Sequence, residues 1–258
     1  TVAISVVTTN IDAPYELVSQ MRASILVMGP LLARYGEARV SLPGGCAIGS
    51  RPVDLHIRAM QKLGAVVELA DGYVQARTPN GLTGNKIIFP FVSVGATENA
   101  LIAACRAKGK TTLKNCAIEP EIKDLIIFLN NLGANISLKG RTIYVRKSKT
   151  KFSKITHNVI FDRIESGTYM IAGALLAKKS LIIDKINPKI IKTEIGVLKK
   201  IGINIKQKKT SLIIKKYSKL KKLNITTKPY PGFPTDLQAQ LMVLLTQASG
   251  VSRITENI

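Results

Sequence analysis

The tripeptides Leu63-Gly64-Ala65, Leu132-Gly133-Ala134 and Ile201-Gly202-Ile203 recur in this chain at intervals of 69 residues. A fixed period constrains a fold tightly, because each copy is one structural unit that buries its apolar face as its neighbours do. Each tripeptide follows an amphipathic helical pattern, over 52–62, 121–131 and 189–200. Glycine just past a helix supplies the left-handed conformation that ends it. An alternating strand, a turn and a second strand follow, at 66–69 and 73–77, at 135–138 and 141–145, and at 204–206 and 211–214. Upstream, helices rich in small apolar residues at 22–34, 97–107 and 168–177 run into short strands at 38–42, 111–113 and 181–183. A fourth such front half spans 236–249 and 251–255. Each repeat therefore reads strand, helix, strand, helix, strand, strand: an α/β (α+β) chain built from βαβαββ units with helices buried on more than one face.

The run Lys147-Ser148-Lys149-Thr150-Lys151 interrupts this pattern. It predicts two domains. Residues 1–160 hold the end of one repeat and two full repeats, and 161–258 hold one repeat and the start of another. A cleft between two such domains is a favoured place for a ligand. The longest apolar runs, at 25–32 and 169–177, fall far short of the roughly 20 residues that span a bilayer. No signal-peptide pattern opens the chain. A cytoplasmic protein without a membrane partner is expected. The chain opens on Thr1 with a strand-like pattern at 1–7 and stops after Glu256-Asn257-Ile258, so it is expected to be a piece of a longer protein.

The cysteines Cys46, Cys105 and Cys116 have no CxxC spacing, and with His56 and His157 as the histidines they predict neither a disulfide framework nor a zinc site. Cys105 lies in an apolar helical pattern and is expected in the core. Cys116 follows a short strand and fits either a packed position or a site. The net charge is +22, and between Lys139 and Lys228 there are 24 Lys or Arg against 4 acids. Such an excess suits nucleic acid or an anionic surface. Its lysines, however, fall among isoleucine and asparagine at turns and outward positions, with few aromatics to stack on bases. Compositional drift accounts for them, and nucleic acid is not the expected partner.

The stretch Leu42-Pro43-Gly44-Gly45-Cys46-Ala47-Ile48-Gly49-Ser50-Arg51-Pro52-Val53-Asp54 places a thiol in a glycine-rich loop, five residues before an arginine that opens a helix. Glycines allow close approach to a ligand, and helix N-termini and arginine attract phosphate or carboxylate. Cationic surroundings lower a thiol pKa. Two readings are open, a reactive sulfur in an anion-binding loop or a surface turn with a packed cysteine. Asp236, at the head of a helix, is likewise either a general base or a helix cap. His56 is either a packed histidine or a catalytic one.

Taken in order, Arg22-Ala23-Ser24, the loop just quoted, Ser93-Val94-Gly95-Ala96-Thr97, Asp162-Arg163-Ile164-Glu165 and Phe233-Pro234-Thr235-Asp236-Leu237-Gln238-Ala239-Gln240 resemble the UDP-N-acetylglucosamine 1-carboxyvinyltransferases over essentially the whole chain. The resemblance implies the enolpyruvyl transferase fold, a two-domain inside-out α/β barrel of βαβαββ units. It implies transfer of enolpyruvate from phosphoenolpyruvate to the sugar 3-hydroxyl of UDP-N-acetylglucosamine, releasing phosphate and opening peptidoglycan precursor synthesis, with no metal or organic cofactor.

By the same resemblance Cys46 is the proton donor to the enolpyruvyl carbon and the residue that fosfomycin alkylates, and Asp236 accepts the sugar hydroxyl proton. Arg22 and Arg51 hold phosphoenolpyruvate. Arg51, Pro52, Val53, Asp54 and Leu55 contact the UDP moiety, as do Val92, Ser93 and Val94, and Ile258 touches the sugar nucleotide. Phe91 stands where many relatives have a lysine, and a phenyl ring cannot pair with diphosphate. The Asp162–Glu165 run is expected at an interdomain hinge. The family's Lys-Asn pair for phosphoenolpyruvate would lie before Thr1 and further arginines after Ile258, so this chain alone is expected to be inactive. The alternatives are a truncated inactive relative and a basic nucleic-acid-binding module of related repeat fold, such as that of the RNA 3′-phosphate cyclases.

Overall fold

A computed structural model describes residue 2 and residues 10–18, 21–42, 53–146 and 155–258. The chain divides into two compact units, Thr1–His157 and Asn158–Ile258. In the first unit the elements are β1 (Asp12–Ala13), α1 (Tyr15–Val18), a 3-10 helix (Arg22–Val27), α2 (Met28–Tyr35), β2 (Glu37–Ser41), α3 (Asp54–Lys62), β3 (Val66–Ala70) and β4 (Tyr73–Arg77). The next repeat contributes β5 (Lys86–Ile88), α4 (Val94–Ala104), β6 (Thr111–Lys114), α5 (Pro120–Leu132), β7 (Asn135–Lys139) and β8 (Thr142–Arg146). The second unit holds α6 (Arg163–Leu176), β9 (Ser180–Asp184), α7 (Lys192–Lys200), β10 (Ile205–Gln207), β11 (Ser211–Lys215), β12 (Asn224–Thr226), a 3-10 turn (Thr235–Leu237), α8 (Gln238–Leu245) and β13 (Arg253–Thr255).

The repeat expected from the 69-residue spacing is a hydrogen-bonding pattern. Ala65 N, Ala134 N and Ile203 N donate to the carbonyls of Met60, Leu129 and Leu198 at 2.9–3.0 Å. Gly64 N, Gly133 N and Gly202 N donate to Gln61, Asn130 and Lys199 at the same distances. These paired bonds, closing over glycines at φ 94°, 110° and 107°, form a Schellman motif in which a left-handed residue satisfies the last carbonyls of the helix. The same stop is built in all three places.

Sheet topology repeats as well. The orders are β1-β2-β4-β3 and β5-β6-β8-β7, with the first pair of each parallel and the others antiparallel. In the second unit β12 pairs in parallel with β13, Asn224 opposite Arg253, as β5 pairs with β6. The β10-β11-β9 sheet departs from the expected unit, because residues 155–162 form no leading strand. Instead His157 Nε2 lies 3.0 Å from Asp124 Oδ2, and its ring stands edge-on to Phe128, so this segment is fastened to α5. The helix expected over 22–34 also departs: it begins as a 3-10 turn and becomes α-helical only at Met28. Pro30 has no N–H to donate, so it is accommodated only in a first helical turn, which is where it stands.

Each unit has its own apolar core. Ala96, Ala100, Ala103 and Ala104 of α4 are fully enclosed, small side chains that let neighbouring helices approach closely. No helix among the described residues is long and apolar enough to cross a membrane.

Candidate functional site

In the first unit the expected ligand-binding segments meet at the first turns of α3 and α4. Ser93 has extended backbone, and its Oγ accepts a bond from Ala96 N at 3.3 Å, which caps α4. Thr97 Oγ1 donates to Ser93 O at 2.7 Å and accepts from Ala117 N at 3.1 Å, so the start of this helix is fixed from two sides. His56, in the first turn of α3, packs on Gly95, where a Cβ would stand 3.3 Å from His56 Cε1. The positive ends of two helix dipoles therefore lie side by side, an arrangement suited to an anion.

A buried amide holds this corner together. Asn99 Nδ2 donates to Ile25 O at 3.1 Å and lies 3.0 Å from His56 Nδ1, while Asn99 Oδ1 accepts from Gly29 N at 2.7 Å. Asn99 thus joins the 3-10 helix that begins at Arg22, helix α2 and helix α3. With Asn99 donating, His56 Nδ1 is the acceptor and its proton resides on Nε2. Burial lowers the His56 pKa to about 4, with the charge of Asp54 pulling weakly the other way. His56 is thereby a packed, neutral histidine.

The individual positions differ in what they offer. Val53 ends the loop and accepts Ile57 N into α3 at 3.1 Å, whereas Leu55 is buried in the core and can reach a ligand only through its backbone. Asp54 has one enclosed oxygen, Oδ1, with no hydrogen-bond partner among the described residues, and its other oxygen sits 3.9 Å from Arg58. Val92 and Val94 are half-buried, and the Phe91 ring is 57% exposed. Cys46, Arg51 and Pro52 lie outside the described residues, as does the side chain of Arg22. Cys105 and Cys116 are fully buried, and burial pushes both thiols up to about 12. Neither is a nucleophile, and Cys116 is a packed residue. No cluster of three or more His, Cys, Asp or Glu among the described residues could hold a metal ion.

In the second unit Asp236 projects into solvent from the 3-10 turn before α8. Burial of Phe233, Pro234 and Leu237 on either side sets its direction, with Leu237 seated where a Cβ on Gly167 of α6 would clash. Neither the turn nor α8 takes a side-chain cap, so Asp236 does not serve as one. Ile258 is exposed, and its N–H donates to Glu256 Oε1 at 2.8 Å. Thr235 Oγ1, one residue before Asp236, donates to the same oxygen at 3.1 Å. In the Asp162–Glu165 run, Asp162 caps α6 through Ile164 N and Glu165 N, and Arg163 faces the buried Glu194 at 3.8 Å within this unit. Asn99 and Glu256 were not legible as site residues. Asn99 sits in a helix rich in small apolar residues, where an amide at an inward position is the signal that could have found it.

The chain matches the EPSP synthase (3-phosphoshikimate 1-carboxyvinyltransferase) family over residues 1–258. It is 56% identical over 250 residues to a UDP-N-acetylglucosamine 1-carboxyvinyltransferase of Pelagibacter ubique, covering 97% of this chain and 60% of that protein. It is 48% identical over 258 residues to the enzyme of that name from Gluconacetobacter diazotrophicus, covering 100% and 61%. Among solved structures, the enolpyruvyl transferase NikO from Streptomyces tendae superposes with a TM-score of 0.80 at 23% identity, over 96% of this chain and 59% of that one. EPSP synthase from Acinetobacter baumannii superposes at 0.63 and 17% identity, over 90% and 54%. The fold is thus that of the enolpyruvyl transferases. The chain spans about 60% of the length of the curated relatives it matches.

Proposed function

The chain belongs to the EPSP synthase family, and from that premise we propose that it serves the transfer of enolpyruvate from phosphoenolpyruvate to the 3-hydroxyl of UDP-N-acetylglucosamine, releasing phosphate. The observation that carries the choice of acceptor is the 56% identity, over 97% of this chain, to a relative named for that sugar nucleotide. This reading places the protein at the first committed step of peptidoglycan precursor synthesis.

The resemblance supplies the residue roles. The sugar oxygen attacks C2 of phosphoenolpyruvate while its proton passes to Asp236, and C3 takes a proton from the Cys46 thiol. Loss of phosphate from C2 and of one proton from C3 then restores the double bond in the product. Exposure of Asp236, free of any capping bond, supports its role as the base. The adjoining first turns of α3 and α4, with Val53, Asp54, Leu55, Val92, Ser93 and Val94, support a subsite for the UDP moiety. There Ser93 Oγ accepts from Ala96 N, and its O–H can still donate to a phosphate oxygen beside the other helix-terminal amides. The enclosed Asp54 Oδ1 would accept from a donor on the nucleotide. Arg22 and Arg51 bind the phosphoenolpyruvate side, Arg51 and Pro52 also border the UDP moiety, and Ile258 packs on the sugar nucleotide.

Phosphate release from the two substrates by the full-length gene product tests the proposal. Cys46→Ala and Asp236→Asn are each expected to lower it by at least about 100-fold, the usual worth of a positioned acid or base. Fosfomycin should add its mass to the wild type and not to Cys46→Ala. Turnover that survives both substitutions would overturn the assignment.

A further inference from the structure

We propose that Glu256 is a positioning residue that sets both Asp236 and Ile258, an inference resting on the transferase reading above. One oxygen, Glu256 Oε1, accepts from Thr227 Oγ1 at 2.8 Å, Thr235 Oγ1 at 3.1 Å and Ile258 N at 2.8 Å. The donors belong to separate segments. Thr227 follows β12, Thr235 opens the turn that carries Asp236, and Ile258 lies beyond β13. Because β12 and β13 are parallel neighbours, the segments leaving them emerge at the same sheet end, where ligands collect in parallel sheets.

Thr227 is the fixed point of this clamp. It is buried, and its N–H donates to Thr255 O at 3.0 Å, so its hydroxyl has a set position. Glu256 carries that position to Thr235 and Ile258. Without the carboxylate the turn keeps its buried anchors, but the hydroxyl beside Asp236 and the amide of Ile258 lose their shared acceptor. A shift of about 1 Å in a reacting group can cost about 100-fold in rate. All three donors are uncharged, so the requirement is for an sp² oxygen at this place, which glutamine also supplies, though with weaker bonds.

The test uses the full-length gene product, with kcat and KM for phosphate release measured beside the urea midpoint. Glu256→Ala is expected to lower kcat/KM by about 100-fold, and Glu256→Gln to stay within about fivefold of the wild type. Added to Asp236→Asn, Glu256→Ala should cost no more than about threefold further in kcat, since its route to the chemistry is already broken. Should Glu256→Ala prove too unstable, Thr235→Val cuts only the link to the Asp236 turn and should lower kcat with little change in KM. Wild-type kinetics in Glu256→Ala, full additivity with Asp236→Asn, or a glutamine as damaging as alanine would each overturn the inference alone. A wild type that releases no phosphate would remove the transferase reading and this inference with it.

Discussion

Asn99 Nδ2 lies 3.0 Å from His56 Nδ1 across 43 residues of sequence, and the same amide nitrogen holds Ile25 O while the amide oxygen holds Gly29 N. One fully buried side chain thus registers three helices on which Arg22, Val53, Asp54 and Leu55 are carried. Asn99→Leu would leave the Gly29 N–H and His56 Nδ1 enclosed without partners and Ile25 O with the Met28 N–H as its remaining donor, and the bulkier side chain would press on Gly29. We expect a loss of about 3 kcal/mol or more of stability, read as a lower urea midpoint with an unchanged slope. An unaltered midpoint would show that the node is dispensable.

Two titratable groups, the buried His56 and the half-buried Glu98, oppose each other in pH. His56 titrates at about 4 in the folded protein against 6.5 when free, so the unfolded chain binds the extra proton between those values. Its contribution is present above pH 6.5 and is lost as pH falls toward 4. Glu98 is pushed up to about 7 from 4.5, by burial first and then by the charges of Glu121 and Glu119, so its contribution is lost as pH rises through that window. The two slopes offset. Glu98→Gln should raise stability at pH 8 by about 1–2 kcal/mol and uncover a steeper loss toward acid. Thermal melts of both proteins from pH 4 to 8 check this, and parallel curves would contradict it.

The Schellman glycines should differ in their tolerance of alanine. At Gly64 a Cβ would meet nothing within 4 Å, so Gly64→Ala is charged only with its φ of 94°, about 1 kcal/mol. At Gly202 the Cβ would stand 2.7 Å from Lys219 O as well, and Gly202→Ala should cost clearly more, about 2–3 kcal/mol. Urea midpoints of the two variants give the order, and an equal loss would mean that backbone conformation alone decides.

Phe91 is exposed just before the start of α4. Phe91→Lys places a cation beside the proposed diphosphate subsite and should tighten UDP-N-acetylglucosamine binding by about three- to tenfold at low salt, the gain shrinking as salt is added. Titration calorimetry at two ionic strengths measures it. A gain that ignores salt would argue against a diphosphate at that place.

Local signals carried far in this chain. The glycines at 64, 133 and 202, the alternating strands and the helices between them were legible because capping and periodicity are short-range properties, set by residues within one turn of each other. Asp236, Ser93 and the glycine-rich loop are legible from motifs that resemble the family's.

Long-range partners decided the rest. Nothing in the neighbourhood of His157 announces Asp124 and Phe128, which bind it to α5 and replace the strand expected there. Asp236 has the composition of a helix cap, and only burial of Phe233, Pro234 and Leu237 turns it outward instead. Asn99 acts through partners 43, 70 and 74 residues away, and Glu256 joins Ile258 to Thr235 and Thr227, which lie 21 and 29 residues from it. Adjacent residues alone set the repeat and the places where its helices stop, because capping and periodicity act within a turn or two of the chain. Which polar atoms share one hydrogen-bond partner was left to tertiary packing, because burial forces such atoms to find partners wherever the fold brings them.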